Sequence, residues 1–119
     1  MSIASDLIRG TTETIILAQL MLGDSYGYQI NKTIMEKTQG EYELKEATLY
    51  SAFRRLEEAG CIVSYWGNET TGARRRYYRL TAYGREEYLR CKSDWVYAKE
   101  LIDTLIMEGD GDEDDLQDS

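Results

Sequence analysis

The chain has 119 residues, enough for one modest domain and too few for two comfortable ones. It contains no histidine, and its two cysteines, Cys61 and Cys91, stand far apart, which excludes the common zinc spacings and argues against a disulfide framework. The formal charge of −8 argues against a nucleic-acid partner only until its distribution is read, because residues 108–119 hold seven acids and no base, leaving 15 acids against 14 bases in residues 1–107.

Residues 1–9 form a mixed lead-in. Gly10-Thr11-Thr12 offers a cap for a helix from Glu13 to Leu22 that is apolar nearly all round, so it needs burial on two sides, in the centre of the domain or against a second subunit; Ile15 is the candidate for the latter. Gly23-Asp24-Ser25 breaks the chain, and a second helix runs from about Tyr26 to Lys37. It places Tyr26, Ile30 and Ile34 on one stripe and Gln29, Lys32 and Lys37 on the polar face. Glu41-Tyr42-Glu43-Leu44 alternates as a very short strand.

The stretch Glu46 to Gly60 reads as a complete third helix with two different faces. Leu49, Ala52, Phe53 and Leu56 gather on the core side and Gly60 is a left-handed stop. The other side carries Ala47, Thr48, Ser51, Arg54 and Arg55 with Tyr50 on the flank. Small residues toward the N-terminal end and cations further along suit a helix that enters a DNA major groove and meets phosphate along its length. Two helices, a link and this third helix make a helix-turn-helix.

After Gly60 the period changes. Cys61 to Trp66 is rich in β-branched and aromatic residues, residues 67–73 are turn-like, and Arg74 to Leu80 alternates again, which predicts a β-hairpin with Tyr78 and Leu80 on one side, Tyr77 and Arg79 on the other, and Arg74, Arg75 and Arg76 at the loop. A hairpin with cations at its tip, following a helix-turn-helix, reads as a wing that touches backbone or minor groove.

Thr81 caps a last helix from about Ala82 to Met107, roughly 39 Å long at 1.5 Å per residue. Tyr88, Trp95 and Ile102 repeat every seven residues, as do Cys91, Ala98 and Leu105, which is the spacing of a helix-to-helix seam and predicts a homodimer. A two-fold axis would bring two Trp95 rings near each other, with Tyr88 one heptad before, so both are candidate contacts for a flat aromatic ligand. Residues 108–119 read as a disordered acidic tail. Asp110, Asp112 and Asp114 have the spacing of a calcium loop without its central glycine and closing glutamate, so no metal is expected.

The fold class expected is therefore mainly α with a small β-hairpin: a winged helix-turn-helix over residues 1–81, a dimerisation helix over 82–107 and the tail over 108–119. Arg9 to Leu17, Tyr26-Gly27-Tyr28-Gln29-Ile30, Ala47 to Gly60 (Ala-Thr-Leu-Tyr-Ser-Ala-Phe-Arg-Arg-Leu-Glu-Glu-Ala-Gly) and Tyr77-Tyr78-Arg79-Leu80-Thr81-Ala82-Tyr83-Gly84, in this order and spacing, resemble the PadR family of bacterial transcription regulators. The resemblance implies a dimeric repressor that binds an inverted repeat in double-stranded DNA and releases it when a small aromatic effector, or some other signal, arrives, with Thr48, Tyr50, Arg54 and Arg74 to Arg76 at the DNA. The chain departs from the family in having no proline, with Ser51 and Ala73 where prolines are frequent, so a more flexible wing tip is expected. Lys45 stands at the cap position, a poor cap but a plausible phosphate contact, and Tyr26 stands where a histidine is common.

Candidate DNA contacts are thus Lys32, Lys45, Thr48, Tyr50, Ser51, Arg54, Arg74, Arg75 and Arg76. No apolar run of about 18 residues and no leader are present, so a cytoplasmic location off the membrane is expected. With no histidine, no phosphate loop and no nucleophile beside a base, neither catalysis nor a cofactor is expected. The alternative is a winged helix used for protein contacts alone.

Overall fold

In a computed structural model, which describes residues 8–70 and 72–107, a single turn of 3-10 helix, Arg9–Thr11, leads into α1, Thr12–Met21. Then follow α2, Gly27–Lys37, and α3, Glu46–Glu58; a hairpin of β1, Ile62–Trp66, and β2, Arg76–Leu80; and α4, Ala82–Ile106. The architecture is the winged helix-turn-helix with a long C-terminal helix that the sequence predicts. The chain divides into two compact units with the boundary between Tyr88 and Leu89. The acidic stretch 108–119, expected to be disordered, lies outside the described residues.

The core of the first unit is built where the helical periods put it. α1 contributes Ile16, Leu17 and Leu20, α2 Ile30 and Ile34, and α3 Leu49, Ala52, Phe53 and Leu56, all buried. From the hairpin come Ile62, Tyr78 and Leu80, so the inner side of β2 is the one read from its alternation. Phe53 stacks on Tyr78 with centroids 3.9 Å apart and planes 15° from parallel, which fixes α3 against the hairpin. Ile15 is half-buried and packs on this core, as does Tyr88.

The structure corrects local expectations at α1 and at 41–44. No cap hydrogen bond from Gly10-Thr11-Thr12 starts α1; the Thr11 hydroxyl instead donates to the Ile8 carbonyl at 2.7 Å. The segment 41–44 is not a strand. Leu44 reaches the core without one, because the Asn31 carboxamide does what a neighbouring strand would do: its Nδ2 donates to the Leu44 carbonyl at 2.7 Å and its Oδ1 accepts from the Leu44 amide at 2.8 Å. The third extended segment lies elsewhere, at Ser25, which pairs antiparallel with Tyr78 through two main-chain hydrogen bonds of 2.8 and 3.2 Å.

The hairpin register sets Ile62 opposite Leu80 and Trp66 opposite Arg76. Arg76 is therefore the first residue of β2 and not part of the loop. Thr81 turns the chain from β2 into α4: its hydroxyl oxygen accepts from the Gly84 amide at 2.9 Å and the hydroxyl donates to the Gly60 carbonyl at 2.6 Å. Gly84 is buried with its Cα against the Cys61 carbonyl.

Candidate nucleic-acid interface

α3 turns its apolar stripe inward, so its other side is presented outward by packing alone. Thr48, Tyr50, Arg54 and Arg55 are exposed and Ser51 is half-buried. Lys45 precedes the helix in extended conformation, with no side-chain cap, and is exposed. Tyr50 is tied down on one edge: its ring meets Phe53 edge-on at 5.7 Å and its hydroxyl lies so close to Gly27 that a Cβ there would stand 2.9 Å from it. A Cβ at 27 would displace the Tyr50 hydroxyl and press on a Leu49 methyl at 3.2 Å. Lys32 is exposed on α2.

The cations differ in what already neutralises them. Arg55 is paired with Glu13 of α1 at 3.3 Å. Arg76 is 3.5 Å from Glu57 and donates to the Ser64 hydroxyl at 2.8 Å. Arg75 is 3.4 Å from Glu69 and Arg79 is 2.9 Å from Asp24. Arg74 lies 6.0 Å from the Trp66 ring centroid. Among the described residues Lys32, Lys45, Arg54 and Arg74 have no ion-pair partner, so theirs is the positive charge most available to a phosphate.

The outer face of the hairpin carries an aromatic and carboxylate network that no local motif announces. Tyr65 and Tyr77 stack at 5.6 Å, Tyr26 meets Tyr77 edge-on at 5.2 Å, and the Arg75 guanidinium covers the Tyr26 ring at 4.9 Å. Tyr26, at the N-cap of α2, is thus in contact with the wing through Tyr77 and Arg75. At the tip the Glu69 carboxylate accepts from the Tyr77 hydroxyl at 3.1 Å and, at longer range, from the Arg75 amide and guanidinium. Gly67, whose amide donates to the Arg75 carbonyl at 2.7 Å, is buried beneath it; a Cβ there would fall on the carboxylate. At the other end Asp24 accepts from the Tyr65 hydroxyl at 2.6 Å and from Arg79.

Burial alone would raise the pKa of Asp24, but the hydrogen bonds from Tyr65 and Arg79 outweigh it and hold the carboxyl below its ordinary value. Glu69 is also held low, chiefly by its own backbone amide, against some desolvation, with help from the Arg75 amide and Tyr77. Both native pKa values lie below the unfolded ones, so the stability these groups lend is fully present above the ordinary carboxylate range and is lost as pH falls through the depressed values. Amide exchange at Gly67 and Tyr78, relative to the intrinsic rate, is expected to accelerate below about pH 4. Glu69→Gln should abolish the acid dependence at Gly67 and leave that at Tyr78; an unchanged profile at Gly67 would remove Glu69 from the account.

The heptad residues divide between the two units. In the first, Tyr88 is half-buried against the core. In the second, Cys91 and Ala98 are half-buried, while Trp95 keeps 46%, Ile102 49% and Leu105 71% of its surface exposed. Among the described residues no group of histidine, cysteine and carboxylate side chains could hold a metal ion, and no helix is long and apolar enough to cross a membrane.

The profile of the transcriptional regulator PadR-like family matches residues 16–90. The fold is similar to that of a transcriptional regulator from Clostridium thermocellum, 50% identical, covering 88% of this chain and 99% of that one with a TM-score of 0.80. It is similar also to a PadR family transcription regulator from Clostridium difficile R20291, 34% identical, covering 81% and 98%, TM-score 0.69. An uncharacterised protein of Lysinibacillus sphaericus is 41% identical over 107 residues, 90% of this chain and 97% of that protein. Bacillus subtilis PadR, solved in complex with operator DNA, shares the fold at 24% identity and a TM-score of 0.60 over 72% of this chain and 46% of that one.

Proposed function

Because the chain belongs to the PadR-like family of transcriptional regulators, we propose that it acts as a homodimeric repressor that binds an inverted-repeat operator and leaves it when a small aromatic effector binds. A regulator of transcription, not an enzyme, is what the family membership makes it. The observation that carries the DNA reading is the outward side of α3, where Thr48 and Tyr50 stand exposed ahead of an exposed Arg54 that, among the described residues, no carboxylate neutralises. In this reading Thr48, Tyr50 and Ser51 approach base edges, while Lys32, Lys45, Arg54 and the hairpin arginines Arg74, Arg75 and Arg76 meet phosphates.

Residues 1–81 then form the DNA-binding part and residues 82–107 the dimerisation helix, with Ile15, Tyr88, Cys91, Trp95, Ala98, Ile102 and Leu105 at the subunit contact. The effector is assigned to the Trp95 indoles of the two subunits, with Tyr88 a heptad away. Two recognition helices in successive major grooves require half-sites about 10 base pairs apart.

The test is a gel shift of the purified protein on DNA from upstream of its own gene, at low and at physiological salt. A shift at low salt that weakens as salt rises is expected. Arg74→Ala should lower the slope of log affinity against log salt by about one, the loss of one phosphate contact. Arg75→Ala should lower it by clearly less, since Glu69 already offsets that charge. No shift at either salt would leave the winged helix as a protein-contact module. That second reading draws on the fact that Arg55, Arg75, Arg76 and Arg79 are already paired.

A further inference from the structure

Between α2 and the first turn of α3 lies an open groove of about 660 Å³, in the size range of small-molecule sites. Its floor is the buried Leu49 and the Tyr50 ring resting against Gly27, and its α2 wall is Met35 and Tyr28, the latter 71% exposed. The opposite wall belongs to the segment that Asn31 binds through both hydrogen bonds to Leu44. These two bonds fix the main chain of that wall against α2.

Its rim is acidic, with Glu46 in the first turn of α3. Glu36, Glu43 and Glu46 border the groove with a single cation, Lys32, and among the described residues none of the four has an ion-pair partner. Three exposed carboxylates beside a helix proposed to approach phosphate oppose that approach. They suit an occupant of the opposite charge. An aromatic floor and wall with carboxylates at the mouth match a flat ring that carries a positive group, since the tyrosine faces attract both the ring and the charge.

We propose that this groove binds a small organic cation with a flat aromatic body, such as a protonated amidine or amine, the ring against Tyr28 and Tyr50 and the charge among Glu36, Glu43 and Glu46. Binding does not depend on the DNA reading. Its consequence does: Tyr50 and Lys32 are shared with the proposed DNA surface, so cation and operator exclude each other, and the exclusion is reciprocal.

The experiment is calorimetric titration of the full-length protein, without DNA, with 4-aminobenzamidine and with its neutral counterpart 4-aminobenzamide. The cation is expected to bind at least about tenfold more tightly than the neutral compound, and Glu43→Gln/Glu46→Gln to weaken the cation by about the same factor. Equal affinity for the two compounds, or no effect of the double substitution, would each overturn the proposal. Both glutamates are exposed, so the double variant should fold; if its circular dichroism departs from the parent, Tyr28→Ala replaces it, with the same expected weakening. A gel shift that persists in saturating amidine, with amidine binding intact, would overturn the shared surface and leave the groove. A gel shift without any amidine binding would sink the groove and leave the DNA reading.

Discussion

Gly84→Ala is expected to lower the unfolding free energy by about 3 kcal/mol, the upper part of what overpacking a tight site costs. A Cβ at this position falls on the Cys61 carbonyl and within 3.1 Å of a Leu80 methyl. The carbonyl has little freedom to retreat, since it accepts from the Thr81 amide at 3.0 Å and from the Thr81 hydroxyl at 3.2 Å. Alanine is the better helix former by about 1 kcal/mol, which offsets only part of the clash. Urea denaturation followed by circular dichroism measures the difference; a variant as stable as the parent would mean that the start of α4 shifts freely from β1. Thr81→Ala, which removes the cap that aligns Gly84, should cost less, about 1 kcal/mol.

Ile102→Asp should separate the proposed dimer and with it remove at least about a hundredfold of operator affinity. The residue lies seven positions after Trp95 and is 49% exposed within its unit, so the monomer tolerates the carboxylate there. In a subunit contact the same carboxylate would be desolvated without a partner, at a cost of several kcal/mol. Loss of the second half-site then appears as lost linkage between two binding events, since each recognition helix alone retains its own contacts. Sedimentation at micromolar concentration should give the dimer mass for the parent and the monomer mass for the variant, with unchanged helicity. A monomeric parent, or a variant that still runs as a dimer, would displace the heptad positions from the subunit contact. The two readouts fail separately: a monomeric variant with parental DNA affinity would keep the seam and reject the paired half-sites.

The sequence by itself determined the parts of this protein that depend on which side of an element is apolar. Leu49, Ala52, Phe53 and Leu56 are buried because a helix of 3.6 residues per turn puts them together, and that placement alone sends Thr48, Tyr50 and Arg54 outward. Tyr78 and Leu80 face in and Arg79 faces out for the same reason at period two. The hydroxyl of Thr81 could be read as a cap from its place before the last helix, and the seven-residue spacing on α4 is likewise local information.

What only the tertiary structure decided concerns groups that need a partner from another part of the chain. The alternation at 41–44 looks like a strand, but a strand exists only where another backbone supplies its hydrogen bonds, and here the Asn31 side chain supplies them while Ser25 takes the place beside Tyr78. Four arginines that read alike as basic residues are set apart from Arg54 and Arg74 by carboxylates that the fold brings to them, Glu13 to Arg55 and Asp24 to Arg79 across more than forty residues of chain. The groove beside α3 has the same origin: Tyr28, Glu43 and Tyr50 lie on three segments, and no period within any one of them encodes their meeting. Periodicity fixes the side of an element that leaves water, because that depends on the spacing of apolar residues along one segment, whereas charge pairing and concave shape arise only between segments once their packing is complete.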